Sequence, residues 1–434
     1  MGSAAEQRAR RLAKLDALRA RGINPYPYRF DRDLSLGALR EAYAHLAAGE
    51  ETDARVRVAG RIYLLRRHGG LIFADLRDET GKIQLLASRD TLGEQAFADF
   101  KDLDIGDWVG VEGTVMVTRA GEESVKVECC ELLAKAVRPL PAKARGLTDV
   151  ETRLRQRYLD LMVNPETRRV FDIRHAAVAA IRRFLADRGF VEVETLVLNE
   201  QAGGATARPF IAHFNALDVD TYLRIALELH LKRLIVGGYE RVFEIGRVFR
   251  NEGIDTRHNP EFTMLEAYQA LADYTDMMEL TEELVAYAAR EALGTTVVTI
   301  EGQEVDLAPP WRRATMSELI AEHTGVQVAA SMPVEEVRAI ASGLGIEIDP
   351  EAGSGKLVNE IYDAFVEDRL LGPIFVTDHP REVSPLAKPH RDDPSLVERF
   401  EVVVAGRELA NAYSELNDPI DQRARFEEEA RAKA

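Results

Sequence analysis

The sequence is poor in cysteine: among 434 residues there are two, the adjacent Cys129 and Cys130, which cannot build a disulfide framework. That usage points to a reducing compartment, the cytoplasm. Long apolar runs are missing as well, and no stretch approaches the roughly 20 residues that a membrane span needs, so no membrane is expected. The opening MGSAAEQRARRLAKLDALRARG has no apolar core of the kind a secretory signal carries. Positive charge is in deficit, with 56 Lys and Arg against 73 Asp and Glu and a net of −17, so the surface is not basic all over as a nucleic-acid coat would be. Local basic faces remain open. The nine histidines show no spacing with cysteine or carboxylate that would build a zinc site. There is no internal repeat and no low-complexity segment.

What is there is a globular composition, 46% hydrophobic and 30% charged, on a chain long enough for about three domains of roughly 150 residues. Residues 1–50 read as a helical extension. Its first 22 residues hold Arg8, Arg10, Arg11, Lys14, Arg19 and Arg21 against Glu6 and Asp16, a net of +4, with Leu12, Leu15 and Leu18 at helical spacing. This amphipathic helix either packs on its neighbour or offers a face to RNA phosphates. A second helix is expected over roughly 34–48. Residues 51–137 change to short strand-like runs, VRVAGRIYLL, GLIFADLRD, KIQLLAS, WVGVEGTVMVT and ESVKVECCELL, with a helical interlude near 92–100. Five such strands predict a small Greek-key barrel of the oligonucleotide-binding (OB) type. From Arg55 to Phe100 eight basic residues face six acidic ones. Phe73 and Gln84 fall on predicted strands: facing outward, an aromatic stacks on an unpaired base and an amide reads a base edge; facing inward, Phe73 is core. Residues 138–162, Pro-punctuated and then basic, read as a linker. A second domain runs over 163–434, with a long helix from Pro165 to Arg188 and a helical insertion at about 311–371.

The densest chemical signal is RVFEIGRVFRNEGIDTRHNPEFTMLEAYQA, Arg241 to Ala270. Two alternating strands flank a loop, Asn251–Glu261, too polar to be core. Glu244, Gly246, Val248 and Arg250 share one face of the first strand; Phe262, Met264, Glu266 and Tyr268 share one face of the second. Such a face can hold Arg250 against a phosphate or carboxylate, stack Phe262 on a purine and offer Glu266 to an amine, or it can be a surface hairpin with cross-strand charge pairs. Near the end, a two-residue turn at Ala405-Gly406 would pair Val403 with Glu408 and bring Glu408 onto the face of Glu401. Two converging carboxylates suit Mg²⁺. Strict alternation would then turn Asn411, Tyr413 and Glu415 away, and a bulge near Leu409 is required only if those residues share the face of Glu408. GSGKL at Gly353–Leu357 lacks the glycine and the Ser/Thr of a phosphate loop and reads as a helix start.

FRNE followed by RHNPEFTMLEAY closely resembles motif 2 of the class II aminoacyl-tRNA synthetases. DRGF at Asp187–Phe190 with VEVET resembles their motif 1, GGATARPF at Gly203–Phe210 their amino-acid loop, and YLRIALELHLKRL at Tyr222–Leu234 their substrate-binding strand and helix. With SPLAK at Ser384–Lys388 and GRELANAYSELNDP at Gly406–Pro419, the resemblance is to the lysine-specific family of that class, over essentially the whole chain. It implies an α+β protein: an N-terminal OB-fold β-barrel that binds the anticodon through Phe73 and Gln84, plus a class II synthetase antiparallel-sheet catalytic domain. It implies ATP and L-lysine as substrates, tRNA(Lys) as partner, Mg²⁺ as cofactor and a homodimer. Carried over residue by residue, Arg250 holds the α-phosphate and the substrate carboxylate, Glu252 reads the adenine amine, His258 meets the terminal phosphates, Asn259 belongs to the ATP site and Phe262 stacks on adenine. Gly204, Glu228 and Glu266 receive the α-amino end of lysine; Tyr268, Asn411, Tyr413 and Glu415 surround its side chain; Glu401 and Glu408 hold the metal. The chemistry of the side chains agrees, since an ammonium has three donors and no acceptor and calls for carboxylates.

Two prolines usual in the family are Leu196 and Leu227 here, which frees φ and restores a backbone donor at each. In the family the chain continues past SELNDP into a glycine-rich strand and a helix bearing the motif 3 arginine; the sequence given ends at Ala434. Two expectations therefore stand side by side: a lysine-activating enzyme whose 434 residues alone bind ATP poorly and exchange pyrophosphate slowly, and a synthetase-like protein that binds lysine or RNA without catalysis.

Overall fold

The computed structural model describes residues 3–141, 147–205, 207–255 and 258–432. The chain divides into two compact units, Met1–Arg168 and Arg169–Ala434.

In the first unit, α1 (Ala4–Ala20) begins with a capping box, in which the Glu6 amide donates to Ser3 Oγ and the Ser3 amide to the Glu6 carboxylate. Two of its basic side chains, Arg11 and Lys14, pack inward, and Arg21 at its C-terminal cap pairs at the surface. Arg11 is buried and donates to the carbonyls of Ile105, Ala136 and Arg138; Lys14 pairs with Asp104 at 3.1 Å, and Arg21 with Asp99 at 2.8 Å. Arg8, Arg10 and Arg19 remain exposed, so packing takes one part of the basic face and solvent the other. Helix α2 (Leu36–Ala42) is shorter than the stretch read from sequence: Leu36 and Leu39 are fully buried against the barrel, and the chain turns once that contact is made.

The five expected strands are β1 (Glu51–His68), β2 (Leu71–Arg77), β3 (Lys82–Ser88), β4 (Trp108–Val117) and β5 (Glu123–Ala134), with α3 (Arg89–Lys101) between β3 and β4. They close into a barrel in the order β1-β2-β3-β5-β4, which leaves no unpaired edge. Alternation sends Ile72, Ala74, Leu76, Ile83 and Leu85 into the core. Lys135, 2% exposed in its side chain, seals the barrel end between Asp104 at 2.7 Å and Asp107 at 2.9 Å.

After α4 (Val150–Arg155) and α5 (Arg157–Val163), the long helix α6 (Pro165–Asp187) leads into β6 (Val191–Glu192). Strands β7 (Leu198–Asn199), β8 (Ile211–Phe214) and β9 (Val219–Leu223) form a small sheet in the order β7-β9-β8, and α7 (Glu228–Val236) follows. The motif 2 hairpin is β10 (Arg241–Phe249) and β11 (Glu261–Gln269), antiparallel, with β6 added parallel to β10. Helix α8 (Tyr274–Leu293) and the hairpin of β12 (Val297–Ile300) and β13 (Gln303–Asp306) come next. Strand β14 (Arg312–Thr315) occupies the first residues of the span read as a helical insertion, because it pairs in parallel with β15 (Ile374–Pro380), a partner far along the chain. Between them lie α9 (Met316–Thr324), α10 (Val334–Gly343) and α11 (Ser354–Phe365), which pack a core of their own on that sheet. The expected helix start at Gly353 is α11: Gly353 and Lys356 give their amides to the Glu382 carboxylate, which fills the place a phosphate would take. Strands β16 (Leu396–Val403) and β17 (Glu408–Tyr413) complete a four-stranded sheet, β14-β15-β16-β17, and α12 (Pro419–Ala432) follows.

Candidate active site

The motif 2 register places Val248 opposite Phe262, Gly246 opposite Met264, Glu244 opposite Glu266 and Val242 opposite Tyr268. The two faces read from alternation are therefore one face of one hairpin. Just past β10 the Arg250 amide donates to the Pro260 carbonyl, its Nε to the carbonyl of Ile225 at 3.3 Å, and its guanidinium lies 5.3 Å from the Phe262 ring centre. Glu252, His258 and Asn259 sit on the exposed loop: His258 pairs with Asp255 at 2.7 Å, and Asn259 donates to the Glu261 carbonyl.

Around the lower half of that face three carboxylates come together. Glu228, on the first turn of α7, is 5% exposed. Glu266 accepts from the Leu227 amide at 2.9 Å and from Tyr268 Oη at 3.0 Å, and Tyr413 Oη donates to Glu228 at 3.2 Å. Gly204 lies against them with a φ of +85°, and a side chain there would press on the Cβ atoms of Ala226 at 3.2 Å and Glu228 at 3.3 Å. Burial pushes Glu266 above the usual carboxylate range and Glu415 up to about 7, the latter shift partly offset by Lys232. Lys232 is a residue the sequence reading missed. Its ammonium stands 2.6 Å from Glu228 Oε1 and 2.6 Å from Glu415 Oε2; burial works against its charge, and the two carboxylates outweigh it and raise its pKa. The signal was present as Glu and Lys four apart on one helix.

Next to this pocket the β16–β17 hairpin turns at Ala405-Gly406, where φ is 51° and 66°, and Val403 pairs with Glu408. Val402 then pairs with Ala410, so Leu409 is the extra residue of a bulge. Asn411 and Tyr413 are thereby returned to the face of Glu401 and Glu408. Glu401 accepts from Arg399, whose Nη1 donates to Ser384 Oγ at 2.9 Å and whose Nε donates to Asn411 Oδ1 at 3.2 Å. Burial raises Glu401 to about 7; Arg399 opposes the shift and Glu408 adds to it. Arg399 also escaped the sequence reading, although it lies two residues from Glu401 and hence on its face. A cavity of about 620 Å³ opens here, bounded among others by Gly204, Leu229, Ser384, Arg399, Asn411 and Tyr413, within the size range of small-molecule sites. Among the described residues no group of three or more His, Cys, Asp or Glu could hold a metal ion.

On the barrel, Phe73 faces outward, half-buried, between core residues Ile72 and Ala74. Arg66 lies 6.0 Å and His68 6.3 Å from its ring. Gln84, opposite Asp75, is 8% exposed, and its Oε1 accepts from Ser124.

The comparisons with known proteins agree on one family. The model for tRNA synthetases class II (D, K and N) matches residues 149–434, and that for the OB-fold nucleic acid binding domain matches residues 56–133. The chain belongs to the class II tRNA synthetases, with an OB-fold domain in front of the catalytic one. It is similar to the lysine--tRNA ligase of Moorella thermoacetica, 55% identical over 96% of this chain and 84% of that protein. It is also similar to those of Thermosynechococcus vestitus, 52% identical over 99% of the chain and 86% of the relative, and Enterococcus faecalis, 52% identical over 96% and 84%. No helix among the described residues is long and apolar enough to cross a membrane.

Proposed function

We propose that the protein is a lysine--tRNA ligase, which activates L-lysine with ATP and esterifies tRNA(Lys). The observation that carries this reading is the pocket of three carboxylates, Glu228, Glu266 and Glu415, closed by Tyr268 and Tyr413 and adjoining Arg250. A free lysine brings two ammonium groups, and a pocket for them must supply acceptors in a desolvated setting. An aspartate-specific relative would need a basic pocket instead.

The α-ammonium goes to Glu228 and Glu266 beside Gly204, and the side-chain ammonium to Glu415, flanked by Tyr268, Tyr413 and Asn411. Arg250 grips the substrate carboxylate and the α-phosphate through its planar fork, and Phe262 stacks on adenine. Glu252, Asn259 and His258 complete the ATP site from the loop. The lysine carboxylate oxygen attacks the α-phosphorus, the bond to the bridging oxygen breaks and pyrophosphate leaves; a ribose hydroxyl of tRNA then takes the lysyl group from the adenylate, releasing AMP. Catalysis rests on positioning and on charge neutralisation. Glu401 and Glu408 fit Mg²⁺: they are hard oxygen donors on one face, one deprived of water, and two carboxylates plus phosphates are a common ligand set for that ion. When bound, it supplies charge neutralisation of the phosphates.

Phe73 stacks on an anticodon base and Gln84 reads an edge, with Arg8, Arg10 and Arg19 of α1 near phosphates. The chain divides as 1–50, 51–137, 138–162 and 163–434. Exposed apolar side chains around motif 1, among them Phe171, Leu196, Leu198, Ile211 and Phe214, favour a homodimer, and two unpaired cysteines suit the cytoplasm.

Calorimetry tests the reading. Sites that hydrogen-bond a substrate group reject analogues lacking it by up to about 10⁴–10⁵, so L-lysine should bind far ahead of norleucine and aspartate. Glu415→Gln should lose most of that margin. Equal affinity for lysine and norleucine would refute the assignment.

A further inference from the structure

Lys232 has no part in the reaction scheme above, yet its ammonium stands between two of the three carboxylates. Its two partners are not equivalent. Glu228 lies one turn away on the same helix and receives a directed hydrogen bond from Nζ at 2.6 Å. Glu415 Oε2 is equally close, at 2.6 Å, in an ion pair that falls short of a well-aligned hydrogen bond, and among the described residues no other donor stands beside it. The Lys232 ammonium also lies 5.8 Å from the Tyr413 ring centre, on the wall that the substrate side chain would follow.

The charges explain why such a residue is needed. Facing one another here are Glu228 and Lys232 from α7, Glu266 and Tyr268 from β11, Tyr413 from β17 and Glu415 just beyond it. With every carboxylate ionised the empty pocket holds three negative charges and one positive charge. Bound lysine brings two ammonium groups and one carboxylate, and Arg250 answers the carboxylate. The filled pocket is then balanced only if Lys232 is counted.

We propose that Lys232 is a positioning residue for the substrate ammonium: it holds Glu415 in the empty pocket, yields that carboxylate to the side-chain ammonium of lysine, and stays paired to Glu228 throughout. The inference rests on the lysine reading of the site. Its directed bond to Glu228 is the one retained, and its misaligned contact to Glu415 is the one given up. Glu415, released from that contact, is where the incoming ammonium finds its acceptor.

The consequence is a shift in when the pocket is ready. Glu415 already sits at about 7 with Lys232 beside it, and removing the cation takes away what opposes burial, so ionisation moves to higher pH. L-lysine affinity of the full chain, measured by calorimetry from about pH 6 to about pH 9, should rise through a midpoint near 7 in the parent. The midpoint should move up by about one pH unit or more in Lys232→Met and return in Lys232→Arg, which keeps the charge. At about pH 8, lysine binding to Lys232→Met should release protons, read from buffers of different ionisation heat, and binding to the parent should release few. If the apolar variant does not fold, Lys232→Gln, which keeps a donor without the charge, takes its place with the same expected shift. A folded variant whose midpoint and proton release match the parent's overturns the proposal; failure of the parent itself to bind lysine overturns the lysine reading on which it rests.

Discussion

Glu401 and Glu415 both keep their protons up to about pH 7 because each is taken out of water. An unfolded glutamate titrates near 4.3, so between about 4 and 7 the folded state binds more protons than the unfolded chain. The sign follows: these two side chains make folding progressively less favourable as pH rises through that window, and the penalty is complete above it. Thermal unfolding from pH 4 to pH 8 should show a smaller decline in Glu415→Gln than in the parent, and an unchanged decline would mean that Glu415 is already ionised at low pH. A second residue-scale expectation concerns Arg224 and Glu244, paired at 2.6 Å with side chains 4% and 5% exposed. Arg224 also donates to the carbonyls of Thr195 and Arg247, and Thr195 donates to Glu244. Removing one partner of such a buried pair costs about 3–5 kcal/mol. Arg224→Met should therefore lower the unfolding free energy in urea by that order and loosen the motif 1 segment from the strand that leads to Arg250.

At the scale of single elements the barrel and its helix give separate handles. Phe73 points away from the core, so Phe73→Ala should leave the melting temperature nearly unchanged while weakening binding of the lysine anticodon stem-loop by about 1–3 kcal/mol; a variant that binds as well as the parent would remove Phe73 from the RNA face. Arg11→Ala leaves three backbone carbonyls short of a charged donor, and a charged hydrogen bond contributes about 1.5–3 kcal/mol. Amide exchange in α1 should accelerate accordingly. These elements also mark what sequence could tell. The hairpin of β10 and β11 was legible because its alternation is strong and its partner is the next strand. The bulge at Leu409 was not legible in the residues themselves; only the roles that the resemblance gives to Glu408 and to Asn411 and Tyr413 called for it. Strand β14 was hidden, since its four residues carry little pattern and their pairing with β15 spans the whole insertion. Lys232 and Arg399 were hidden because each looks like an ordinary surface cation until the carboxylates opposite it are known. Leu36 and Leu39 announced a helix without announcing how soon it would stop.

For the molecule as a whole, the resemblance and the fold agree over nearly all of the chain, while the quaternary state rests on exposed apolar surface. Leu198 on β7 and Phe214 on β8, which share one face of that sheet, are 50% and 44% exposed, and an apolar sheet face left in water favours association. Sedimentation should find a dimer in the parent and a monomer in Leu198→Asp with Phe214→Asp. A dimer that survives both changes would place the interface elsewhere. The replacement of Leu196 by proline, the residue usual in the family, would restrict φ next to that face and should tighten the dimer if the interface lies there.

The bulge at Leu409 behaves as a phase shifter in the last hairpin. Ahead of it, Glu408 stands in step with Val403; behind it, Asn411 and Tyr413 stand in step with Glu401 and Arg399. One inserted residue thus keeps Glu408 and, further along the same six-residue strand, Asn411 and Tyr413 on one side, while Ala410 and Ala412 fill the apolar layer beneath with Phe400 and Val402. Were Leu409 instead drawn into the ladder opposite Val402, the far half would fall out of step: two small residues would face the cavity and a polar amide and a phenol would be driven into the core; deleting Leu409 would leave the pairs Val402–Ala410 and Glu401–Asn411 as they are and remove only the kink.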